Sequence, residues 1–131
     1  MSKMAVLGTG SWGTTFAQVL ADAGHEVVLW GRRDSVVQMI NEGENSAYLP
    51  GIELSDRISA STDLAEAVAG AEVVALAVPV SATAEVIEGA VRAAPQSTYL
   101  TLSKGIEQGS LKTVAEVMAT TGGLPPAQVA A

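Results

Sequence analysis

Gly8, Gly10 and Gly13 give the chain a Gly-x-Gly-x-x-Gly segment close to its N-terminus. Glycines at this spacing suit a diphosphate. The first permits a tight turn, the second lets phosphates approach the backbone, and the third lets a helix pack close to a strand. The N–H groups and the positive dipole end of that helix then face the anion. The spacing predicts a dinucleotide site, and a glycine-rich turn without a ligand is the alternative.

A pair of arginines follows the second predicted strand. A site selective for NAD usually has Asp or Glu about 20 residues after the glycines, where it accepts a hydrogen bond from the ribose 2′-OH. Here Gly31 stands at that place, followed by Arg32 and Arg33. Two guanidinium groups without a carboxylate suit a 2′-phosphate. We therefore expect NADPH to bind at least as well as NADH, with two solvated surface arginines as the alternative.

Lys104 is a further candidate, because it directly follows a predicted buried strand and is flanked by Ser103 and Gly105. A basic group at this edge of a sheet lies near the ligand crevice, although a solvated loop lysine is the commoner case. The aromatic side chains of Trp12 and Tyr48 are candidate neighbours of the adenine or nicotinamide ring. Packing within the core or a loop is their alternative role.

Apolar runs alternate with amphipathic stretches along the chain, which is typical of one α/β domain covering residues 1–131. We predict a Rossmann-type doubly wound parallel sheet in three layers, with strand order 3-2-1-4-5-6. Residues 41–57 are expected to form a long irregular loop. The predicted strands are 4–7, 26–30, 58–60, 72–78, 98–102 and one starting at 128. The predicted apolar face of the first helix comprises Trp12, Phe16, Val19, Leu20 and Ala23.

The predicted fold brings the candidate groups together. In a sheet of this order, ligands bind at the carboxyl ends of the strands, where the order reverses. The segments that leave those ends are 8–13, 31–33, 79–81 and 103–105. Pro79 thus joins the glycines, the arginines and Lys104 at one edge of the sheet.

The composition excludes several classes of function. The net charge of −7, from 7 basic and 14 acidic residues, argues against a nucleic-acid or anionic-membrane partner. The absence of cysteine excludes disulfides and thiolate catalysis, and with His25 as the single histidine we expect no metal site. No signal peptide and no apolar run of the ~18 residues needed for a membrane span are visible. We expect a soluble, cytoplasmic protein.

Several segments match the motifs of a known family. They are residues 8–14 (GTGSWGT), 24–32 (GHEVVLWGR), Asn45 with 48–51 (YLPG), 78–79 (VP) and 103–107 (SKGIE). On these segments, which run over the whole chain, the protein resembles the N-terminal domain of bacterial NAD(P)-dependent glycerol-3-phosphate dehydrogenase.

The resemblance implies NADPH- or NADH-dependent reduction of dihydroxyacetone phosphate to sn-glycerol 3-phosphate, which feeds phospholipid synthesis. It also implies that Lys104 contacts the substrate as well as the cofactor. The cofactor-binding residues expected from motif and resemblance together are Gly8, Gly10, Ser11, Trp12, Gly13, Arg32, Arg33, Tyr48, Pro79 and Lys104.

The chain departs from the family at its C-terminal end. Family members continue into a helical domain with the catalytic lysine and with the Arg and Asn that hold the substrate phosphate, all beyond Ala131. We interpret the sequence as an incomplete chain with no catalytic residue of its own, from an enzyme that is a homodimer at full length. The alternatives are a stand-alone NAD(P)-sensing module and a related β-hydroxyacid or ketopantoate-type reductase. The latter would lack the Tyr48 loop and the Ser-Lys-Gly-Ile-Glu segment together.

Overall fold

A computed structural model describes residues 2–46, 49–79, 82–101 and 129–130 of the chain. The strands are β1 (Lys3–Leu7), β2 (Glu26–Trp30), β3 (Glu44–Asn45), β4 (Leu49–Glu53), β5 (Ile58–Ser61), β6 (Val73–Leu76), β7 (Thr98–Thr101) and β8 (Val129–Ala130). The helices are α1 (Ser11–Asp22), α2 (Asp34–Asn41), α3 (Leu64–Val68) and α4 (Thr83–Ala93). Most predicted strands are confirmed close to their expected bounds.

Six strands form one parallel sheet in the order β5-β2-β1-β6-β7-β8. The doubly wound class is confirmed. The numbering differs from 3-2-1-4-5-6 because β3 and β4, which lie between β2 and β5 along the chain, form a separate two-stranded antiparallel sheet. With these two strands left out, the order is the predicted one. Leu7 pairs with both Trp30 and Leu76, so β1, β2 and β6 end level at the point where the order reverses.

The two faces of the sheet are covered by different helices. Successive side chains of a strand point to opposite faces, so Val6 packs in a cluster with Ala17 of α1 and Ile40 of α2. The neighbouring Leu7 packs in a cluster with Val68 of α3 and residues of α4. Burial on both faces leaves the ends of the central strands as the places where polar groups can meet a ligand.

Helix α1 packs against the sheet mainly through small residues, so the apolar face expected from the sequence is only partly confirmed. Phe16 and Leu20 are half-buried against the core, whereas the other three expected residues are exposed. Its buried residues are Gly13, Thr14, Ala17 and Ala21. The Trp12 side chain is 80% exposed, and Val19 is also exposed. The reason is the close approach of α1 to the strands after the tight turn, which leaves room at the contact only for hydrogen, methyl or hydroxyl groups. The large apolar side chains flank this contact or face outward.

The segment 41–57, expected to be an irregular loop, contains the β3–β4 pair. Glu44 pairs with Glu53 and Asn45 with Leu49, with a shift of register between them. The N–H of Leu54 also donates to the Gly43 carbonyl at 2.7 Å. The prediction missed this pair because β3 is two residues long and shows no alternation of apolar and polar residues. In the described ranges, no helix has the length and apolarity to cross a membrane.

Candidate functional site

The turn after β1 needs two of its three glycines for the fold itself. Gly8 has a φ of +130°, and a Cβ built on it would lie 2.5 Å from the Ala77 carbonyl oxygen. A Cβ built on Gly13 would overlap the Gly8 carbonyl oxygen. The Gly8 N–H donates to the Trp30 carbonyl at 2.8 Å, which ties the turn to the end of β2. These two positions exclude side chains whether or not a ligand binds.

Gly10 differs from its neighbours. Its φ of −72° and ψ of −173° are open to any residue, and a Cβ built there would meet no atom of the described residues within 4 Å. The fold therefore does not require glycine at this position, whereas a ligand approaching the backbone would. Gly10 is also the N-cap of α1, makes no side-chain cap, and precedes a first turn without acidic residues. The positive end of the helix dipole lies at Gly10, where it favours an anion such as a diphosphate.

Position 31, where the carboxylate is missing after β2, is sterically crowded. A Cβ built on the buried Gly31 would lie 2.6 Å from Thr9 Cγ2 and 2.8 Å from Thr9 Oγ1. The side chain of Thr9, from the glycine turn, therefore fills the space that an Asp or Glu at position 31 would need. An acidic residue at this position would therefore require Thr9 to shift or to be replaced.

Arg32 lies at the crevice edge between two neighbours. Its Cζ is 5.7 Å from the centroid of the Trp30 ring, and its Nη2 is 3.6 Å from Glu85 Oε2 in the first turn of α4. Because both charged side chains are more than half exposed, the ion pair stabilises the fold by no more than about 1 kcal/mol. Arg33 is exposed at the N-cap of α2, beside Arg32. A dianionic phosphate can therefore compete with Glu85 for this pair of arginines.

The other predicted site residues fall into two groups. Ser11, Trp12 and Pro79 are exposed at the same edge of the sheet as the glycines, so the structure brings them together with the turn and the arginines. Tyr48 and Lys104 lie outside the described residues, and their roles stay predictions.

Asn45 was given no role by the sequence, but the structure places it under the glycine turn. It is fully buried, and its Nδ2 donates to the Thr9 carbonyl oxygen and to Thr14 Oγ1, both at 2.9 Å. Thr14 Oγ1 donates to the same Thr9 oxygen at 3.2 Å. The only sequence signal was its presence in the family motif, because a buried asparagine cannot be distinguished from an exposed one by residue type alone.

The core beneath β7 contains a buried phenol. Burial raises the pKa of Tyr99 to about 12, and its hydroxyl donates to the Ala94 carbonyl oxygen at 2.8 Å. Tyr99 packs with Leu76 and Ile87 beneath the strand that leads towards Lys104. Its contribution is to the stability of that strand.

Comparisons with known proteins point to a family of dehydrogenases. Residues 3–130 match the family model described as NAD-dependent glycerol-3-phosphate dehydrogenase N-terminus. The glycerol-3-phosphate dehydrogenase (NAD(P)+) of Bacillus velezensis is 48% identical over 120 residues, which are 90% of this chain and 35% of that enzyme. The enzyme of the same name from Thermobifida fusca is 47% identical over 139 residues, covering 99% of this chain and 40% of that enzyme.

Solved structures agree with the sequence comparisons. The crystal structure of glycerol-3-phosphate dehydrogenase from Coxiella burnetii superimposes with a TM-score of 0.82 at 34% identity, covering 98% of this chain and 38% of that one. The glycerol-3-phosphate dehydrogenase of Plasmodium falciparum gives a TM-score of 0.83 at 25% identity. The chain thus spans well under half the length of the relatives that it matches.

Proposed function

The chain belongs to the family of NAD-dependent glycerol-3-phosphate dehydrogenase N-terminal domains, and on this premise we propose that it binds NADPH or NADH for the reduction of dihydroxyacetone phosphate to sn-glycerol 3-phosphate. The observation that carries the proposal is the open space at Gly10, where the fold itself does not require glycine. A bound nicotinamide supplies the hydride for this reaction.

The described residues would divide the work of binding along the edge of the sheet. The glycine turn and the N-terminus of α1 bind the diphosphate. Arg32 and Arg33 bind a 2′-phosphate when the cofactor is NADPH, which displaces Glu85 from Arg32. Ser11, Trp12 and Pro79 form the rim of this site. Because position 31 is glycine and offers no carboxylate, we expect no strong discrimination against the 2′-phosphate.

Lys104 is proposed to contact the substrate carbonyl. Reduction of a ketone builds negative charge on its oxygen, so a cation or proton donor must stand beside that oxygen in the transition state. The family resemblance implies that Lys104 contacts the substrate and that Tyr48 contacts the cofactor. The segment that carries Lys104 follows β7, the neighbour of β6 in the sheet.

We propose that the remaining catalytic groups lie outside these 131 residues, in a part of the enzyme that corresponds to the rest of the longer relatives. Correct positioning of a substrate can lower a barrier by ~7–11 kcal/mol, and one lysine cannot supply it while also holding the substrate phosphate. The 131 residues should therefore bind NADPH saturably without oxidising it when dihydroxyacetone phosphate is added.

Fluorescence titration with NADPH and NADH, followed by an assay of absorbance at the nicotinamide band with dihydroxyacetone phosphate, tests this division. The same assay is then run on a longer enzyme that carries this domain. There, Lys104→Ala should reduce turnover severely and weaken nucleotide binding much less. Turnover by the 131 residues alone would refute the division. A longer enzyme that binds NADPH but never oxidises it with this substrate would indicate a nucleotide-sensing module instead.

The homodimer and the cytoplasmic location expected from the sequence also remain proposals. Light scattering on the longer enzyme measures the first, and fractionation of cells that produce it measures the second. The role in phospholipid synthesis depends on the product, sn-glycerol 3-phosphate, and is tested by supplying that compound to cells that lack the enzyme.

A further inference from the structure

Asn45 connects the β3–β4 pair to the glycine turn through a closed set of hydrogen bonds. Its Nδ2 has two hydrogens, one for the Thr9 carbonyl and one for Thr14 Oγ1, at 2.9 Å each. The Thr14 hydroxyl then gives its own hydrogen to the Thr9 carbonyl at 3.2 Å. Two donors thus converge on one backbone oxygen inside the turn, and both come from fully buried residues.

The orientation of the Asn45 amide follows from the same geometry. Exchanging the positions of Oδ1 and Nδ2 would place two acceptors, Oδ1 and the Thr9 oxygen, against each other. Within the described part of the chain, Asn45 Oδ1 is buried and has no donor in reach. The Nδ2 atom therefore makes the contacts that hold this side chain in place.

Fixing the Thr9 oxygen also fixes the Gly10 N–H. The described peptide bonds are all trans, and a planar trans peptide points its C=O and its N–H in opposite directions. Since the Thr9 carbonyl points at the buried Asn45, the Gly10 N–H points away from Asn45. A rotated Thr9–Gly10 peptide would instead turn the partially negative oxygen of Thr9 away from Asn45, towards the side from which an anion approaches the turn.

We propose that Asn45 is a positioning residue for dinucleotide binding, which holds the Thr9–Gly10 peptide so that its N–H rather than its carbonyl faces the diphosphate. This role rests on the proposed function, because it needs a diphosphate at the turn. It makes the β3–β4 pair part of the site, although Asn45 itself is buried beneath the turn and does not touch the cofactor.

The test compares Asn45→Leu with Asn41→Leu in the 131-residue chain. Asn41 is a matched control because its side chain also joins two elements, donating to the Ala60 carbonyl at 3.0 Å and accepting from the Ala60 N–H at 2.8 Å. Asn45→Leu should weaken the binding of NADH, NADPH and ADP-ribose by a similar factor, roughly tenfold, which is the effect of one lost oriented donor. Binding of 2′-AMP, which has no diphosphate, should change less than twofold. Asn41→Leu should leave all four affinities within about twofold.

A measurement without ligand tests the same role directly. In the parent the Gly10 amide should show a rigid 15N order parameter near ~0.85, which falls towards ~0.6 in Asn45→Leu but not in Asn41→Leu. If Asn45→Leu does not fold, Thr14→Val is the second variant, because it removes the other donor to the same carbonyl with little change in size. Thr14→Val should weaken dinucleotide binding, and Thr14→Ser, which keeps the hydroxyl, should bind like the parent.

Two results would overturn the proposal while leaving the proposed function intact. In the first, the parent binds NADPH, and the Asn45→Leu or Thr14→Val variant binds it equally well and keeps a rigid Gly10 amide. The other is equal weakening of 2′-AMP and ADP-ribose, which would indicate a general structural role. A parent that binds no nicotinamide dinucleotide would instead overturn the proposed function.

Discussion

Alanine at Gly8 and at Gly10 should separate the stability of the fold from the binding of the cofactor. At Gly8 an alanine adopts a φ of +130° and places its Cβ 2.5 Å from a backbone oxygen of Ala77. Backbone strain of ~1–3 kcal/mol and overpacking of ~1–3 kcal/mol together lower the free energy of unfolding by about 2–6 kcal/mol. Chemical denaturation of Gly8→Ala measures this loss.

At Gly10 the same substitution meets no atom within 4 Å in the part of the chain that the structure describes, and it needs no change of backbone. The unfolded chain loses entropy, which favours the folded state by ~0.4–1 kcal/mol, and alanine is a poorer N-cap than glycine by a similar amount. The free energy of unfolding of Gly10→Ala should therefore stay within about 1 kcal/mol of the parent. Its Cβ, however, occupies the space through which the diphosphate approaches.

The assay is a thermal melt of the parent, Gly8→Ala and Gly10→Ala with and without NADPH. At a concentration of 100 times Kd, the cofactor stabilises the parent by about 2.7 kcal/mol, or roughly 10 °C for a chain of this size. Gly10→Ala should melt like the unliganded parent in both conditions. A Gly10→Ala variant that gains the full NADPH shift would refute the placement of the phosphates, and one that is strongly destabilised would refute the steric argument.

Three further predictions concern charge and pH. The Arg32→Ala, Arg33→Ala double variant should bind NADPH at least about tenfold more weakly and NADH less than about threefold more weakly, because exposed contacts to a 2′-phosphate retain only part of the energy of a charge-assisted hydrogen bond. Parallel titrations measure both affinities, and equal losses would contradict the prediction. Glu85→Gln frees Arg32 from a competing carboxylate and should tighten NADPH about two- to fivefold with NADH unchanged, whereas a weaker NADPH complex would show that Glu85 helps to orient Arg32. The pKa of Tyr99 is near 10 in the unfolded chain and about 12 in the folded one, so its contribution to the free energy of unfolding should be intact below pH 10 and fall by about 2–3 kcal/mol up to pH 12. Denaturation of Tyr99→Phe at increasing pH should lack this part of the loss. An identical loss of stability with pH in the two proteins would contradict the assignment.

The sequence predicted the strands well because parallel strands buried on both faces are apolar throughout. Val73–Leu76 and Glu26–Trp30 are short runs dominated by apolar residues, and Gly31 directly follows the second of them. The glycine turn was predictable for a similar reason, because spacing, flanking strand and following helix all agree. Local pattern and global fold coincide at these places.

The buried face of α1 was not predictable from apolar spacing. Hydrophobic periodicity assumes that large side chains make the contact, whereas a helix held close to a sheet makes it through Ala17 and Ala21. The buried set therefore depends on the distance between helix and sheet, which Gly8 and Gly13 determine. The same limit explains why the exposure of Trp12 was missed.

The contacts under the glycine turn also could not be predicted from the sequence. Asn45 reaches Thr9 across 36 positions of the chain and Thr14 across 31. No local pattern encodes a hydrogen bond of that span, and a short strand such as β3 gives no periodic signal. The collision between a side chain at Gly31 and Thr9 has the same origin, because it arises only when β2 is folded beside the turn.

That collision also restricts how cofactor preference can change over evolution. An acidic residue at position 31 would overpack against Thr9, whose Cγ2 and Oγ1 lie 2.6 Å and 2.8 Å from the place of the new Cβ. With Thr9 unchanged, a side chain at position 31 forces Thr9 or the nearby backbone to shift, so the exchange should cost less stability when Thr9 is replaced first or at the same time. The two positions, far apart in sequence, are therefore epistatic, and lineages of this fold should exchange them as a pair.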